Sequence, residues 1–165
     1  MVPTSATPAT CSISSAAEVD CAAMTRARLE YRVGEEQNPG NPFGRSTLVI
    51  EPDGSARLDH VTRGGAAKHA WTAKVDPAVV ERLWAALDAA SFPAMPPHPV
   101  PAGSTIRVLI AGKDTVSLEW FATAKLDGYR DAFPLLDTII RQISGDTVRR
   151  VPASEPKLVG EIAAV

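Results

Sequence analysis

Aromatic residues and basic stretches are scarce in this chain of 165 residues. Aromatics make up only 5% of it, so a core has to come from Leu, Val and Ile together with the three Trp. Lys and Arg number 17 against 19 Asp and Glu, and no basic stripe of the kind that nucleic-acid binding needs is present. The composition therefore predicts no nucleic-acid partner.

Long apolar runs are also absent. No segment approaches the roughly 18 consecutive apolar residues of a membrane span. Residues 1–23 hold no Lys or Arg and lack the apolar stretch of a secretory signal. We therefore predict no membrane partner and a cytoplasmic location. With 45% hydrophobic and 22% charged residues, the chain has the composition of a soluble globular protein.

Cysteine is confined to one short segment. Both cysteines, Cys11 and Cys21, lie in residues 1–25, which are rich in Ser, Thr, Ala and Pro. That composition predicts a disordered tail, in which a disulfide between the two would do little for a core. Free thiols are the simpler interpretation, and their redox state stays open. Because regular patterning begins within two residues of Met24, Met24 is a second candidate start.

Residues 26–145 carry the patterns of a single α+β domain, whereas 146–165 hold charges without any period and are predicted to be a C-terminal tail. Period-two alternation between turn residues predicts six strands. They are expected at 26–33, 46–51, 55–62, 68–75, 105–111 and 115–120. Consecutive strands are joined by hairpins rather than crossover helices, so the sheet should be antiparallel.

Two helices are expected to cover that sheet. Asp76-Pro77 is a helix start, because Asp accepts backbone N–H groups as N-cap and Pro at the first helical position gives up no needed donor. The first helix should end near Ser91. The second should span 132–144, which places Pro134 in the first turn, where proline is tolerated. The predicted fold is an antiparallel sheet of about six strands with both helices on one face.

The second hairpin has an apolar face that we expect to pack against the helices. The residues assigned to it are Ile106, Val108, Ile110, Val116, Leu118 and Trp120.

Catalytic and metal-binding motifs are missing as well. The chain has no Gly-x-Ser-x-Gly elbow, no His-Glu-x-x-His, no paired Cys-x-x-Cys and no acidic calcium loop. Arg63-Gly64-Gly65 precedes a predicted strand rather than a helix, which favours a turn over a phosphate loop. We therefore predict no catalytic residues, no metal and no cofactor.

The chain has three histidines that have to be considered as catalytic bases. His60 adjoins Asp59, but neighbours on a strand point to opposite faces, so that carboxylate is not placed to orient the imidazole. His69 shares a predicted face with Trp71, which is typical of a packed histidine, and His98 lies in a proline-rich connector. A small enzyme using His60 or His69 in a pocket between sheet and helices requires that the imidazole meet a carboxylate.

The connection at 34–45 is the main candidate for recognition. Loops between hairpin strands usually have about two to five residues, and longer loops in compact domains are often functional. Phe43 is the only large apolar residue of this loop, and it either anchors in a partner's pocket or folds back on the sheet. The candidate binding residues are Asn38, Asn41, Phe43 and Arg45.

Several framework features follow one another from Thr47 to Ile143. They are a hairpin at Asp53-Gly54, the turn at 63–65, a helix running from Asp76-Pro77 into residues 91–96, a hairpin over 106–120, and a closing helix led in by residues 133–136. In this arrangement the chain resembles the emfourin-like family of small bacterial α+β proteins, which inhibit thermolysin-like metallopeptidases. The resemblance implies the fold, an inhibitory activity and a metallopeptidase partner. It assigns no functional residues, and the family's short Gly-Gly-Phe-type segment is replaced here by residues 34–45.

Taken together, these observations predict a non-catalytic protein-binding module whose partner is another protein. A peptidase inhibitor or regulator of a metallopeptidase is the specific form that the resemblance suggests. An immunity or antitoxin-like partner protein and the small histidine enzyme are the alternatives. The oligomeric state is left open.

Overall fold

The computed structural model describes residues 26–37, 42–153 and 156–165. The predicted tail at 1–25, with both cysteines, lies outside the described residues. In the described part, seven strands form one antiparallel sheet on which two α-helices pack, so the predicted α+β class is confirmed. The strands are β1 Leu29–Val33, β2 Arg45–Ile50, β3 Ser55–Val61, β4 Lys68–Val75, β5 Ile106–Ala111, β6 Asp114–Glu119 and β7 Val159–Ala164, and the helices are α1 Pro77–Ala89 and α2 Tyr129–Ile143.

The strands are arranged in the order β6-β5-β1-β2-β3-β4-β7, and every neighbouring pair is antiparallel. Tight connections join β2 to β3, β3 to β4 and β5 to β6, while β1 lies between β5 and β2. The edges of the sheet are therefore β6 and β7. Neither helix described here has the length and apolar character needed to cross a membrane.

The core lies between the sheet and the helices. Leu, Val and Ile side chains supply most of it, as the composition predicts. Its aromatic part differs from the expectation of three core Trp: Tyr31, Tyr129 and Phe133 are fully buried, and Trp84 is the one tryptophan in the core. The rings of Tyr31 and Tyr129 lie 5.5 and 5.7 Å from that of Phe133, which brings β1 and α2 together.

Helix α1 begins where the sequence predicts. The Asp76 side chain accepts a hydrogen bond from the Ala78 N–H at 2.9 Å, and Pro77 is the first helical residue. The helix buries one apolar face that includes Leu83 and Leu87. Its C-terminal end packs so closely on Gly128 that a Cβ atom there would overlap the α1 backbone.

Helix α2 begins at Tyr129, three residues earlier than predicted, so the placement of Pro134 in the first turn is wrong. Pro134 lies deeper in the helix, where it forfeits one intrahelical hydrogen bond. Gly128, with φ at 77°, turns the chain so that the helix starts early and buries Tyr129 and Phe133. That burial offsets the lost bond, since burying a large side chain contributes about 1.5 to 3 kcal/mol.

The prediction of an irregular tail at 146–165 is wrong for its last residues. Val159–Ala164 forms β7, which pairs with β4, and Leu158 and Val159 are buried. Only the first residue of β7 is buried, so buried and exposed positions do not alternate along this strand. A search for period-two alternation of apolar residues therefore could not find it.

The face assigned to β5 is also wrong. The register pairs Leu109 with Tyr31 of β1 and with Val116 of β6, so Arg107, Leu109 and Ala111 face the helices. Ile106, Val108 and Ile110 lie on the opposite face, half-buried. Two apolar sets alternate along this strand, and the less apolar one, which holds an arginine, faces the core.

Candidate functional site

Three polar side chains form a buried cluster under α2. The Arg107 Nη1 donates hydrogen bonds to the Tyr31 hydroxyl at 2.7 Å and to Asp137 Oδ2 at 2.8 Å. The Tyr31 hydroxyl donates to Asp137 Oδ1 at 2.8 Å. The side chains of Arg107 and Asp137 are 6% and 0% exposed. Burial raises the pKa of the Asp137 carboxyl, and the Arg107 guanidinium beside it opposes that shift.

The Arg107 guanidinium lies over two aromatic rings. It lies 3.5 Å from the ring centroid of Trp120 and 4.9 Å from that of Phe133. Its Nε is buried and has no hydrogen-bond partner among the described residues. One carboxylate and one hydroxyl therefore use only part of the donor capacity of this side chain.

A second arginine lies close to this cluster. Arg150 donates from Nη1 to Ser46 Oγ at 2.7 Å and from Nη2 to the Gly44 carbonyl at 2.9 Å. Its guanidinium lies 5.8 Å from the Phe43 ring centroid. Burial lowers the pKa of Arg150, while Tyr31 and Asp137 raise it. Within the part of the chain that the structure describes, its hydrogen bonds go to neutral oxygens and no carboxylate forms an ion pair with it.

Ser46 links Arg150 to His60. The His60 Nδ1 lies 2.9 Å from Ser46 Oγ, and both residues are buried. Burial, followed by the positive charge of Arg150, lowers the pKa of His60 to about 4. The imidazole is therefore neutral at pH 7, because burial and the charge of Arg150 both disfavour its protonated form.

Two clefts open at the surface beside these buried groups, separated by Trp120 and Phe121, which we call the aromatic ridge. The Phe43 cleft has a volume of about 340 Å³ and is lined by Pro42, Phe43, Gly103, Ser104, Thr105, Trp120, Phe121 and Arg150. The Arg130 cleft has a volume of about 330 Å³ and is lined by Arg107, Trp120, Phe121, Thr123, Ala124, Arg130, Asp131 and Pro134. The ridge thus contributes to both clefts, and each contains one arginine of the interior.

Backbone and side-chain hydrogen bonds hold the ridge in place. The Trp120 N–H donates to the Thr105 carbonyl at 2.8 Å, and the Thr123 hydroxyl donates to the Trp120 carbonyl at 2.7 Å. The buried Glu119 carboxylate accepts a hydrogen bond from the Ala122 N–H at 2.8 Å, at the start of a short 3₁₀ helix. The Phe121 side chain nevertheless remains 76% exposed.

Of the four predicted binding residues, the structure describes Phe43 and Arg45, and these two do not share a cleft. Phe43 lines the Phe43 cleft and is 37% exposed. Arg45 is exposed on β2 and forms an ion pair with Glu36 at 3.5 Å, away from the lining of either cleft. Asn38 and Asn41 lie outside the described residues.

None of the three histidines, all of them described, lines either cleft. His60 is buried against Ser46, and His69 is exposed with its ring stacked on Trp71 at 5.7 Å. Neither imidazole meets a carboxylate in the described residues, which is the contact that the enzyme alternative requires. No cluster of three or more potential metal-ligating side chains occurs within residues 26–37, 42–153 and 156–165.

Sequence reasoning missed Arg107, Trp120, Phe121, Asp137 and Arg150 as site residues. Asp137 had a usable signal, since it follows Phe133 by four positions on the apolar face of α2. Arg150 had none, because it lies in an aperiodic segment and reaches β2 only through the tertiary fold.

No protein-family model matches this chain, and no curated protein matches it. The resemblance to emfourin-like proteins stays a prediction.

Proposed function

We propose that this protein is a non-catalytic protein-binding module that binds its partner through the aromatic ridge and the Phe43 cleft. The observation that carries the proposal is the 76% exposure of Phe121 beside a cleft that Phe43 and Trp120 also line. Large aromatic side chains are enriched among the anchors of protein interfaces, where they fill pockets or are covered by a partner.

The rigidity of the ridge supports this proposal. Trp120 is stacked on the Arg107 guanidinium, and its backbone is hydrogen-bonded on both sides. An anchor that is already fixed loses little conformational freedom on binding, and more of its contact energy then contributes to affinity. Phe121 is thus presented by a preorganised turn.

The specific form that we propose is an inhibitor or regulator of a thermolysin-like metallopeptidase. This step depends on the resemblance in the framework from Thr47 to Ile143. The Phe43 cleft is lined by Pro42 and Phe43, which belong to the 34–45 connection, the segment that departs from the family pattern. Inhibition would therefore place the peptidase against the Phe43 side of the ridge.

The experiment compares wild-type protein with Phe121→Ala and with a matched control, Val165→Ala. Val165 is 72% exposed but follows β7, at the opposite edge of the sheet from β6. Each protein is titrated by calorimetry against a panel of purified thermolysin-like metallopeptidases, and residual peptidase activity is assayed in parallel.

We expect Phe121→Ala to weaken binding about thirtyfold or more, as the truncation of an aromatic anchor does, and Val165→Ala to leave it unchanged. If the panel shows no binding, the inhibitor form is wrong. The same three proteins are then used as bait in cell extract, and a partner retained equally by all three would overturn the ridge as the binding surface.

A further inference from the structure

The interior beside the Phe43 cleft holds two arginines and one carboxylate. Arg107 and Arg150 both interact electrostatically with Asp137, and Arg150 also acts on His60. The other buried carboxylate, Glu119, pairs with Ile106 in the sheet register and so belongs to the face opposite Arg107. Among the described residues beside this cleft, two arginines therefore share the one buried carboxylate of Asp137.

Asp137 forms its ion pair with Arg107, and Arg150 forms none with a described carboxylate. Its two hydrogen bonds go to a hydroxyl and a carbonyl, so three of the five guanidinium N–H donors of an arginine have no acceptor among the described residues. The residue lines the Phe43 cleft and is only partly buried, so a ligand in the cleft can reach it. A partly desolvated guanidinium binds a carboxylate more strongly than one in open water.

The other residues that line the cleft determine which side chain can bind next to the carboxylate. Phe43, Trp120 and Phe121 offer aromatic surface around a volume of about 340 Å³, enough for one large side chain. Ser104 and Thr105 add polar residues to the lining.

We infer that the Phe43 cleft is a recognition subsite for an acidic residue next to an aromatic or large aliphatic one in a partner protein, with the carboxylate bound by Arg150. The inference rests on the proposed function and names the chemistry of the partner segment. The positive charge of Arg150 calls for an acidic residue in the partner segment. The aromatic lining of the cleft calls for a large apolar side chain next to it.

The test uses two capped peptides that differ in one group, Ac-Gly-Phe-Asp-Gly-NH2 and Ac-Gly-Phe-Asn-Gly-NH2. Each is titrated into the full-length protein at millimolar concentration, and binding is followed by NMR at the Trp120 indole N–H. A free acid, phenylpropionate, is titrated at the same concentration. The variants are Arg150→Gln and, as a matched control, Arg149→Gln, an exposed neighbour whose Nε donates to the Asp146 carbonyl at 2.7 Å.

We expect the Asp peptide to bind about tenfold or more tightly than the Asn peptide, because a charge-assisted hydrogen bond is replaced by a neutral one. Arg150→Gln should remove that difference and Arg149→Gln should keep it. Added NaCl should weaken only the Asp peptide, which tests the ion pair in wild-type protein even if Arg150→Gln does not fold.

Equal binding of the two peptides, or no binding of either, overturns the inference. Phenylpropionate binding as tightly as the Asp peptide would also overturn it, since the cleft would then be a site for small organic acids. A partner that depends on Phe121 but is indifferent to Arg150→Gln would leave the proposed function standing and remove only this subsite. If the protein discriminates between the two peptides but has no partner that depends on Phe121, the subsite stands and the proposed function is wrong.

Discussion

Arg107 occupies a β5 position that faces the core, and three contacts make that position tolerable. Asp137 supplies the opposite charge, Tyr31 supplies a hydroxyl, and Trp120 covers the guanidinium. A buried charge is costly unless it is paired and hydrogen-bonded, so each of these contacts is needed. Sequence patterning missed the arrangement because apolar counting favours Ile106, Val108 and Ile110.

Removing only one of the paired residues Arg107 and Asp137 should lower the free energy of unfolding more than removing both. Asp137→Leu leaves Arg107 buried without its counter-charge, and we expect it to lower the free energy of unfolding by about 3 to 5 kcal/mol. The double variant Arg107→Met with Asp137→Leu should be more stable than Asp137→Leu alone. Urea denaturation of wild type, both single variants and the double variant provides the complete cycle. Additive losses would show that the two side chains do not act as a pair.

The pKa of His60 predicts a pH dependence of stability. The folded-state pKa is about 4, below the ordinary value of 6.5. Between these two values the unfolded chain binds a proton that the folded chain does not, so the free energy of unfolding falls as pH drops from 6.5 to 4. We expect this group to contribute a loss of about 2 to 3 kcal/mol over that window. Urea denaturation at several pH values measures it, and His60→Gln should flatten the curve; an unchanged slope would contradict the assignment.

At the scale of elements, the close packing of α1 on α2 depends on Gly128. Its φ is 77°, and an added Cβ would overlap the backbone at Ala86 and Ala90. We expect Gly128→Ala to cost at least about 2 kcal/mol, because strain in the left-handed region and steric overlap add. Gly145 also has positive φ, at 56°, but has open space around it, so Gly145→Ala should cost only about 1 kcal/mol. Equal melting shifts for the two variants would contradict the packing.

The last strand should contribute measurably to stability. Leu158 and Val159 are 6% and 3% exposed, and burial of such side chains is worth about 1.5 to 3 kcal/mol each. Truncation after Lys157 should therefore lower the free energy of unfolding by about 3 kcal/mol or more. Truncation after Glu161 keeps both buried residues and serves as the control. If the protein truncated after Lys157 is as stable as the wild type, β7 contributes nothing to the fold and the segment behaves as a tail.

Local patterns predicted most elements and little of the site. Alternation located six strands, and the Asp76-Pro77 cap located the start of α1, since these signals act within a few residues. The edge strand β7 and the early start of α2 depend on long-range packing. The candidate site is assembled from β1, β2, β5, the turn after β6, α2 and the segment near Arg150, so no single stretch of sequence could predict it.

For the whole molecule, the aromatic ridge and β7 lie at opposite edges of one sheet. The ridge follows β6, and Val165 follows β7. Both edges expose large hydrophobic side chains, Phe121 at the ridge and Ile162 and Val165 at the β7 edge. The clefts beside the ridge contain Arg107 and Arg150 together with the aromatic surface of Trp120 and Phe121. A partner bound through the ridge would leave the β7 edge uncovered.

Site-specific photo-crosslinking tests that claim most directly. A benzophenone amino acid is placed at position 121 in one protein and at position 165 in another, and both are irradiated in cell extract. We predict that position 121 gives one dominant cross-linked product, which is lost when Phe43→Ala is added, and that position 165 gives none. The same product from position 165, or equal labelling at both positions, would contradict binding through the aromatic ridge.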